Sequence, residues 1–192
     1  MQERAQTLRE LVDILAAVGS DHVLIGGLAV GYHGRPRATL DIDLLIPGKK
    51  LIDVREALEA KGYDVRPFPG MIRTYRSPES EESIADIVSR EANPVLREAA
   101  RHAEPAKLLG QPVNVIRRGA LVALKFQAII SPDRKLADRY QDLADIGHVL
   151  ARRFDADDAR LAGTVAATID GNARTRLEKL IDDLSHGRPV AL

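Results

Sequence analysis

The chain has 192 residues, which at roughly 150 residues per domain predicts one domain with an appendage or two small ones. Its 28 basic and 28 acidic residues and its lack of cysteine exclude a globally basic nucleic-acid coat, an acidic disordered tail, a disulfide framework and a thiolate metal site. With 45% hydrophobic and 29% charged residues, no apolar run near the ~20 residues a bilayer crossing needs, and a charged N-terminus without an apolar signal core, a soluble cytoplasmic protein with no membrane partner is expected.

Leu8, Leu11, Val12, Leu15 and Val18 fall on one helical stripe that Gly19 ends. A short strand over 22–25 follows, is broken by Gly26-Gly27, and gives way to one or two helical turns over 28–33. After the polar stretch 34–39, residues 40–46 read as a strand, with apolar residues at 40, 42 and 44 and acids at 41 and 43. An amphipathic helix over 49–61 ends at Gly62, and strand candidates lie at 63–66, 72–75 and 83–88. A helix over 94–102 and a hairpin over 106–116, turning at Gly110-Gln111-Pro112, complete the mixed part. Helical patterns then begin at Leu121 and run over 136–150, 158–169 and 174–184. The expected fold is α+β, a small mixed sheet flanked by helices over 1–118 and a C-terminal helical region over 119–192.

Asp41 and Asp43 sit two apart on the predicted strand, so both carboxylates share one face while Leu40, Ile42 and Leu44 point to a core. Close carboxylates repel and raise one another's pKa unless a cation intervenes, and Mg²⁺ takes carboxylate and phosphate oxygens. A plain acidic outer face is the other reading. Asp86 interrupts the apolar run Ile84-Ala85-Asp86-Ile87-Val88; burying it demands a partner, for which a metal shared with Asp41 and Asp43 would serve. Gly26-Gly27 opens a helix whose free N–H groups and dipole favour an anion, though a tight strand-to-helix turn needs the same residues. Arg35, Arg37 and Thr39 lie just upstream of the acids, placed for phosphate or acceptor or simply in a polar loop. Residues 97–139 carry nine basic and four acidic groups, either a solvated face or a phosphate-facing wall. The five histidines show no metal-ligand spacing, so His33 is expected to bond locally; core packing is expected of Tyr32 and Tyr140, with base stacking as the alternative.

Ile25-Gly26-Gly27, then Asp41-Ile42-Asp43-Leu44, then Ala85-Asp86-Ile87 resembles the signature of the nucleotidyltransferase superfamily with a DNA polymerase β-like fold. The fuller stretch 26–44 is similar to that of the AbiEii/MenT-type toxin nucleotidyltransferases. Leu124-Lys125-Phe126-Gln127-Ala128 and Arg139-Tyr140-Gln141-Asp142-Leu143-Ala144-Asp145-Ile146 resemble their two helical motifs, with Gln141 where Lys is frequent.

The resemblance implies transfer of a nucleoside monophosphate from an NTP to an acceptor, releasing pyrophosphate. It implies Asp41, Asp43 and Asp86 as ligands of Mg²⁺ or Mn²⁺ and as catalytic residues. Gly26 and Gly27 would let the backbone approach the triphosphate, while Arg37 and Thr39 would position phosphate or acceptor. Lys125 would reach a phosphate, or else snorkel to solvent; Asp142 would orient Lys125 or contact acceptor or base, or else be an exposed helix acid. The acceptor implied is an RNA 3′ end, tRNA first, with a small molecule or a protein as the alternative; a cognate antitoxin is the implied protein partner of a toxin. A nucleotidyltransferase fold retained only as a binding module is the rival from another class.

Overall fold

The computed structural model describes residues 2–36, 39 and 41–190. Helix α1 (Gln2–Ala17) buries Leu8, Leu11 and Leu15 and leads into strand β1 (Val23–Leu24) and helix α2 (Gly26–His33). Strand β2 (Ile42–Ile46) is followed by a 3₁₀ turn (Gly48–Lys50), helix α3 (Leu51–Ala60), and strands β3 (Asp64–Phe68), β4 (Met71–Tyr75) and β5 (Ala85–Ser89). Helix α4 (Pro94–Ala100), capped by the Asn93 side chain on Leu96 N–H, precedes strands β6 (Ala103–Leu108) and β7 (Gln111–Ile116). Four helices finish the described chain: α5 (Arg118–Ile130), α6 (Leu136–Leu150), α7 (Ala156–Ala166) and α8 (Ala173–Ser185).

All seven strands join one mixed sheet in the order β3-β4-β5-β2-β1-β7-β6. β2 lies near its middle, antiparallel to β1 and parallel to β5, and buries Ile42, Leu44, Leu45 and Ile46. Helices α1 and α3 pack on one face, where Val65 and Ile72 meet Val54 and Leu58. Helix α2 packs on the other face, beside β2, and touches α5 and α6. A single hydrophobic cluster runs from Leu8 on α1 to Leu180 on α8. No helix among the described residues is long and apolar enough to cross a membrane.

Several expected boundaries move, each for a local reason. The hairpin starts at Ala103 rather than 106 because the helix before it stops at Ala100. Its turn is Leu109-Gly110, both at positive φ (49° and 83°), so Gln111 and Pro112 belong to the strand. Pro105 is tolerated because β6 is an edge strand. The helix expected from Asp158 begins at Ala156, because Asp155 caps it and Asp158 closes a reciprocal capping box. Strand β2 begins at Ile42, leaving Asp41 just ahead of it; Leu40 lies outside the described residues. Tyr32 and Tyr140 are not core residues: they are 38% and 57% exposed.

Candidate active site

The register of the sheet assembles the acids. Asp43 on β2 lies directly opposite Asp86 on the parallel neighbour β5, so both side chains stand on one face. Asp41, two residues upstream, joins them: one carboxylate oxygen from each of Asp41, Asp43 and Asp86 lies within 4.8 Å of the others. Thr39 is buried and its Oγ1 donates to Asp41 Oδ1 at 3.0 Å, fixing that carboxylate. Arg37 lies outside the described residues.

The glycines sit against this group. Gly26 has φ +62°, and a Cβ there would collide with the Asp43 carboxylate. A Cβ on Gly27 would stand 2.6 Å from Thr39 Oγ1. The Gly27 N–H donates to Asp43, so the start of α2 already contacts an acid of the trio. Only glycine permits both the left-handed turn at 26 and this approach.

Among the described residues, charge is incompletely balanced around the trio. Asp43 is pushed up to about 7, first by burial and then by repulsion from Asp41 and Asp86, with Lys125 and the Gly27 N–H pulling the other way. Burial also raises Asp86, against the pull of Arg73. Arg73, opposite Asp86 on β4, donates from Nε to Asp86 Oδ1 at 3.1 Å and Oδ2 at 3.3 Å. The expectation that Asp86 needs a partner thus meets a protein partner that the sequence reading missed. Three oxygen-donor carboxylates this close, one driven towards neutrality by burial and by its neighbours, fit a hard divalent cation such as Mg²⁺ or Mn²⁺.

A second acidic group stands behind the first. Lys125 on α5 places Nζ 2.8 Å from Asp142 Oδ1 and 2.8 Å from Asp145 Oδ2, both on α6. Arg134, in the loop between these helices, grips Asp142 Oδ2 from Nε at 2.9 Å and from its terminal nitrogen at 2.8 Å. Gln141 Nε2 donates to Asp145 Oδ1 at 3.0 Å. Asp142 and Asp145 are 1% and 0% exposed. Asp142 is therefore not an exposed helix acid, and Lys125 is ion-paired rather than snorkelling. Arg134 was missed, and Asp145 stood in the helical motif without a role, yet Asp142, Asp145, Ile146 and Val149 form an i, i+3, i+4, i+7 stripe, and all four are buried.

The remaining candidates have local roles. His33 is buried with Nε2 2.6 Å from the Ile116 carbonyl. In the basic stretch 97–139, Arg101, Arg118, Lys125 and Arg134 are held by Glu98, Asp158, Asp142 and Asp145, while Arg139 donates to the Ser131 and Arg134 carbonyls. These five cations are committed to internal contacts, which disfavours a continuous phosphate-facing wall.

The family described as nucleotidyl transferase AbiEii toxin, type IV TA system, matches residues 9–188. The chain belongs to this family. No curated protein matches it in sequence. Among solved structures, an antigenic nucleotidyltransferase-like protein from Paracoccidioides brasiliensis superposes with a TM-score of 0.57 at 17% identity, covering 94% of this chain and 93% of that one. The antibiotic-resistance factor ANT(2'')-Ia gives 0.55 at 14% identity, over 97% and 95% of the two chains. The lincosamide antibiotic adenylyltransferase LnuA, solved with lincomycin bound, gives 0.52 at 15%, covering 75% of this chain and 96% of its own. At such identities the likeness is one of fold, and this AbiEii nucleotidyltransferase shares the fold over most of its length.

Proposed function

We propose that this AbiEii nucleotidyltransferase moves a nucleoside monophosphate from an NTP to the 3′ end of an RNA, tRNA first, in a reaction that depends on Mg²⁺ or Mn²⁺ held by Asp41, Asp43 and Asp86. The observation that carries the metal is the trio itself, three carboxylates within 4.8 Å beside a glycine turn. When bound, the metal supplies positive charge to the phosphoryl oxygens and eases ionisation of the attacking hydroxyl. The acceptor oxygen forms a bond to the α-phosphorus, the bond from that phosphorus to the bridging oxygen breaks, and pyrophosphate leaves.

The chain's own groups divide between its two parts. Residues 1–118 supply the acids and the Gly26-Gly27 turn; residues 119–192 supply Lys125 and Asp142. The Gly26-Gly27 backbone brings the start of α2 against Asp43, so that a triphosphate held by the trio would lie beside that helix N-terminus. Thr39 fixes Asp41, and Asp86, raised by burial, is suited to take the proton of the acceptor hydroxyl. Asp142 and Asp145 hold Lys125 beside the trio, where it contributes positive field at Asp43. Action as a toxin, with a cognate antitoxin as partner, follows the family, and an NTP donor places the reaction in the cytoplasm.

One observation favours a small-molecule acceptor instead. A cavity of about 520 Å³ opens where β2 and β5 begin, lined by Ile42 and Ser83 together with Glu3, Glu81, Glu82, Arg4 and Arg76. Its size suits a small ligand, and its lining mixes acids with arginines, Arg76 being paired with Glu3. The structural neighbours named for antibiotic resistance and lincosamide adenylylation lend this reading some weight.

The test is incubation with each labelled NTP, Mn²⁺ or Mg²⁺, and in separate arms total RNA, total protein and a panel of aminated small molecules. Label on an RNA 3′ end is expected, lowered at least ~10²–10³-fold in Asp41→Asn and Asp43→Asn, as for loss of a preorganised electrostatic group. Label only on a small molecule overturns the RNA acceptor. Activity unchanged in both variants overturns the site.

A further inference from the structure

The register that joins Asp43 to Asp86 continues outward. Asp86 lies opposite Arg73 on β4, and Arg73 lies opposite Arg66 on β3. Asp43, Asp86, Arg73 and Arg66 therefore form one row across four strands on one face, about 14 Å long at ~4.8 Å per strand. Like charges directly opposite one another destabilise a sheet, and this row contains two such pairs side by side, one negative and one positive. The first is relieved by a cation; in the second, Arg73 is paired with Asp86 and Arg66 with Asp64, which holds two planar cations at the surface.

The positive end is built flat. The Arg66 guanidinium lies 3.8 Å over the Tyr75 ring and that of Arg73 lies 5.2 Å from the Phe68 ring centre. Asp64 and Asp86 brace the two guanidinium groups from Nε, at 2.8 and 3.1 Å, and one terminal nitrogen of Arg66 also donates to the Pro78 and Ser80 carbonyls at 3.0 and 3.5 Å. Both arginine side chains remain 40% exposed, and Phe68 is 45% exposed. Helix α3 packs on the opposite face, so these groups stand free of it. The trio's other flank is occupied by the start of α2, where the triphosphate would sit.

Resting on the nucleotidyl-transfer reading, we propose that the β3–β4 face is the platform on which a single-stranded RNA end reaches Asp86, with Phe68 stacking on a base and Arg66 and Arg73 meeting backbone phosphates. Planar cations interleaved with an exposed aromatic ring are the parts a single strand uses, because every base has a π face and every nucleotide a phosphate. The row leads the strand's terminal hydroxyl towards the acids from the side opposite the triphosphate.

The test is fluorescence anisotropy of a 5′-labelled 12-nucleotide single-stranded RNA against the full chain over a salt series, with metal-dependent NTP binding measured by calorimetry on the same preparations. Phe68→Ala is expected to weaken RNA binding about 5- to 150-fold, the effect of losing one stacked base, and Phe68→Tyr to restore it. Arg66→Gln is expected to lower the slope of log affinity against log salt by about 0.7. Lys107→Gln, on the sheet's far edge, is expected to change affinity less than twofold. Wild-type binding too weak to measure, wild-type behaviour of Phe68→Ala and Arg66→Gln, or an equal loss in Lys107→Gln overturns the platform. If the wild type binds no NTP with Mn²⁺ while Phe68→Ala still weakens RNA binding, the nucleotidyl-transfer reading falls and the platform stands.

Discussion

Two clusters of carboxylates lie close together in this protein and are treated in opposite ways. Asp142 and Asp145 are buried, but Lys125 and Arg134 bring two positive charges to two negative ones, and Gln141 adds a further bond. Asp41, Asp43 and Asp86 bring three negative charges against the ion pair from Arg73 and the more distant field of a lysine already shared by two other acids. A buried carboxylate matched inside the protein is scaffolding: it costs little while paired and a great deal when its partner is removed. Carboxylates in excess among the described residues, Asp41 fixed by Thr39 and Asp43 pressed by Gly26, are held ready for a cation from outside.

This contrast is broken most forcefully through Lys125. Lys125→Met removes the cation that Asp142 and Asp145 share and is expected to destabilise the chain by about 3–5 kcal/mol in urea denaturation. Asp43→Asn in EDTA is expected to do the reverse, because it removes repulsion, raising the melting temperature by ~2–4 °C for each kcal/mol relieved. Two carboxylate clusters that respond alike to loss of charge would erase the distinction.

The pH dependence sharpens it. Folding lifts the Asp43 carboxyl from its ordinary 3.8 to about 7, so the metal-free folded chain holds a proton that the unfolded chain releases. The contribution to stability is complete below about pH 4 and is lost as pH rises through about 7. Melting curves in EDTA are expected to show this loss in the wild type and to flatten in Asp43→Asn. Saturating Mg²⁺ is expected to restore stability at the upper end, because ligation and protonation compete for the same oxygens.

The smallest effect concerns Thr39. Thr39→Val removes one hydrogen bond to Asp41, worth about 1 kcal/mol, and is expected to weaken Mn²⁺ binding about fivefold while leaving the fold intact. Calorimetry checks it; an unchanged affinity would mean that Asp41 needs no fixing.

Much of this was legible from sequence for reasons that differ by residue. Asp86 stood out because a carboxylate in an apolar strand is costly, and Asp41 and Asp43 because a two-residue spacing puts them on one face. Gly26 was legible as a strand-to-helix turn, though not as a residue pressed against Asp43. Arg73 was hidden because its pairing with Asp86 depends on how β4 and β5 are registered across an irregular loop, which no local pattern specifies. Arg134 was hidden because a loop arginine carries no periodicity. The charge count singled out 97–139, but that count cannot see that five of its cations are consumed internally, while Arg66 and Arg73 lie in the more acidic first half.

The most direct test of the account is calorimetric titration of Mn²⁺ into the protein with a non-hydrolysable NTP analogue, comparing the wild type with Asp43→Asn and Asp142→Asn. Saturable Mn²⁺ binding is predicted for the wild type, at least tenfold weaker in Asp43→Asn, and retained by whatever fraction of Asp142→Asn remains folded. Equal Mn²⁺ binding by the wild type and Asp43→Asn, or none by the wild type, would contradict the claim that the trio is held for a metal.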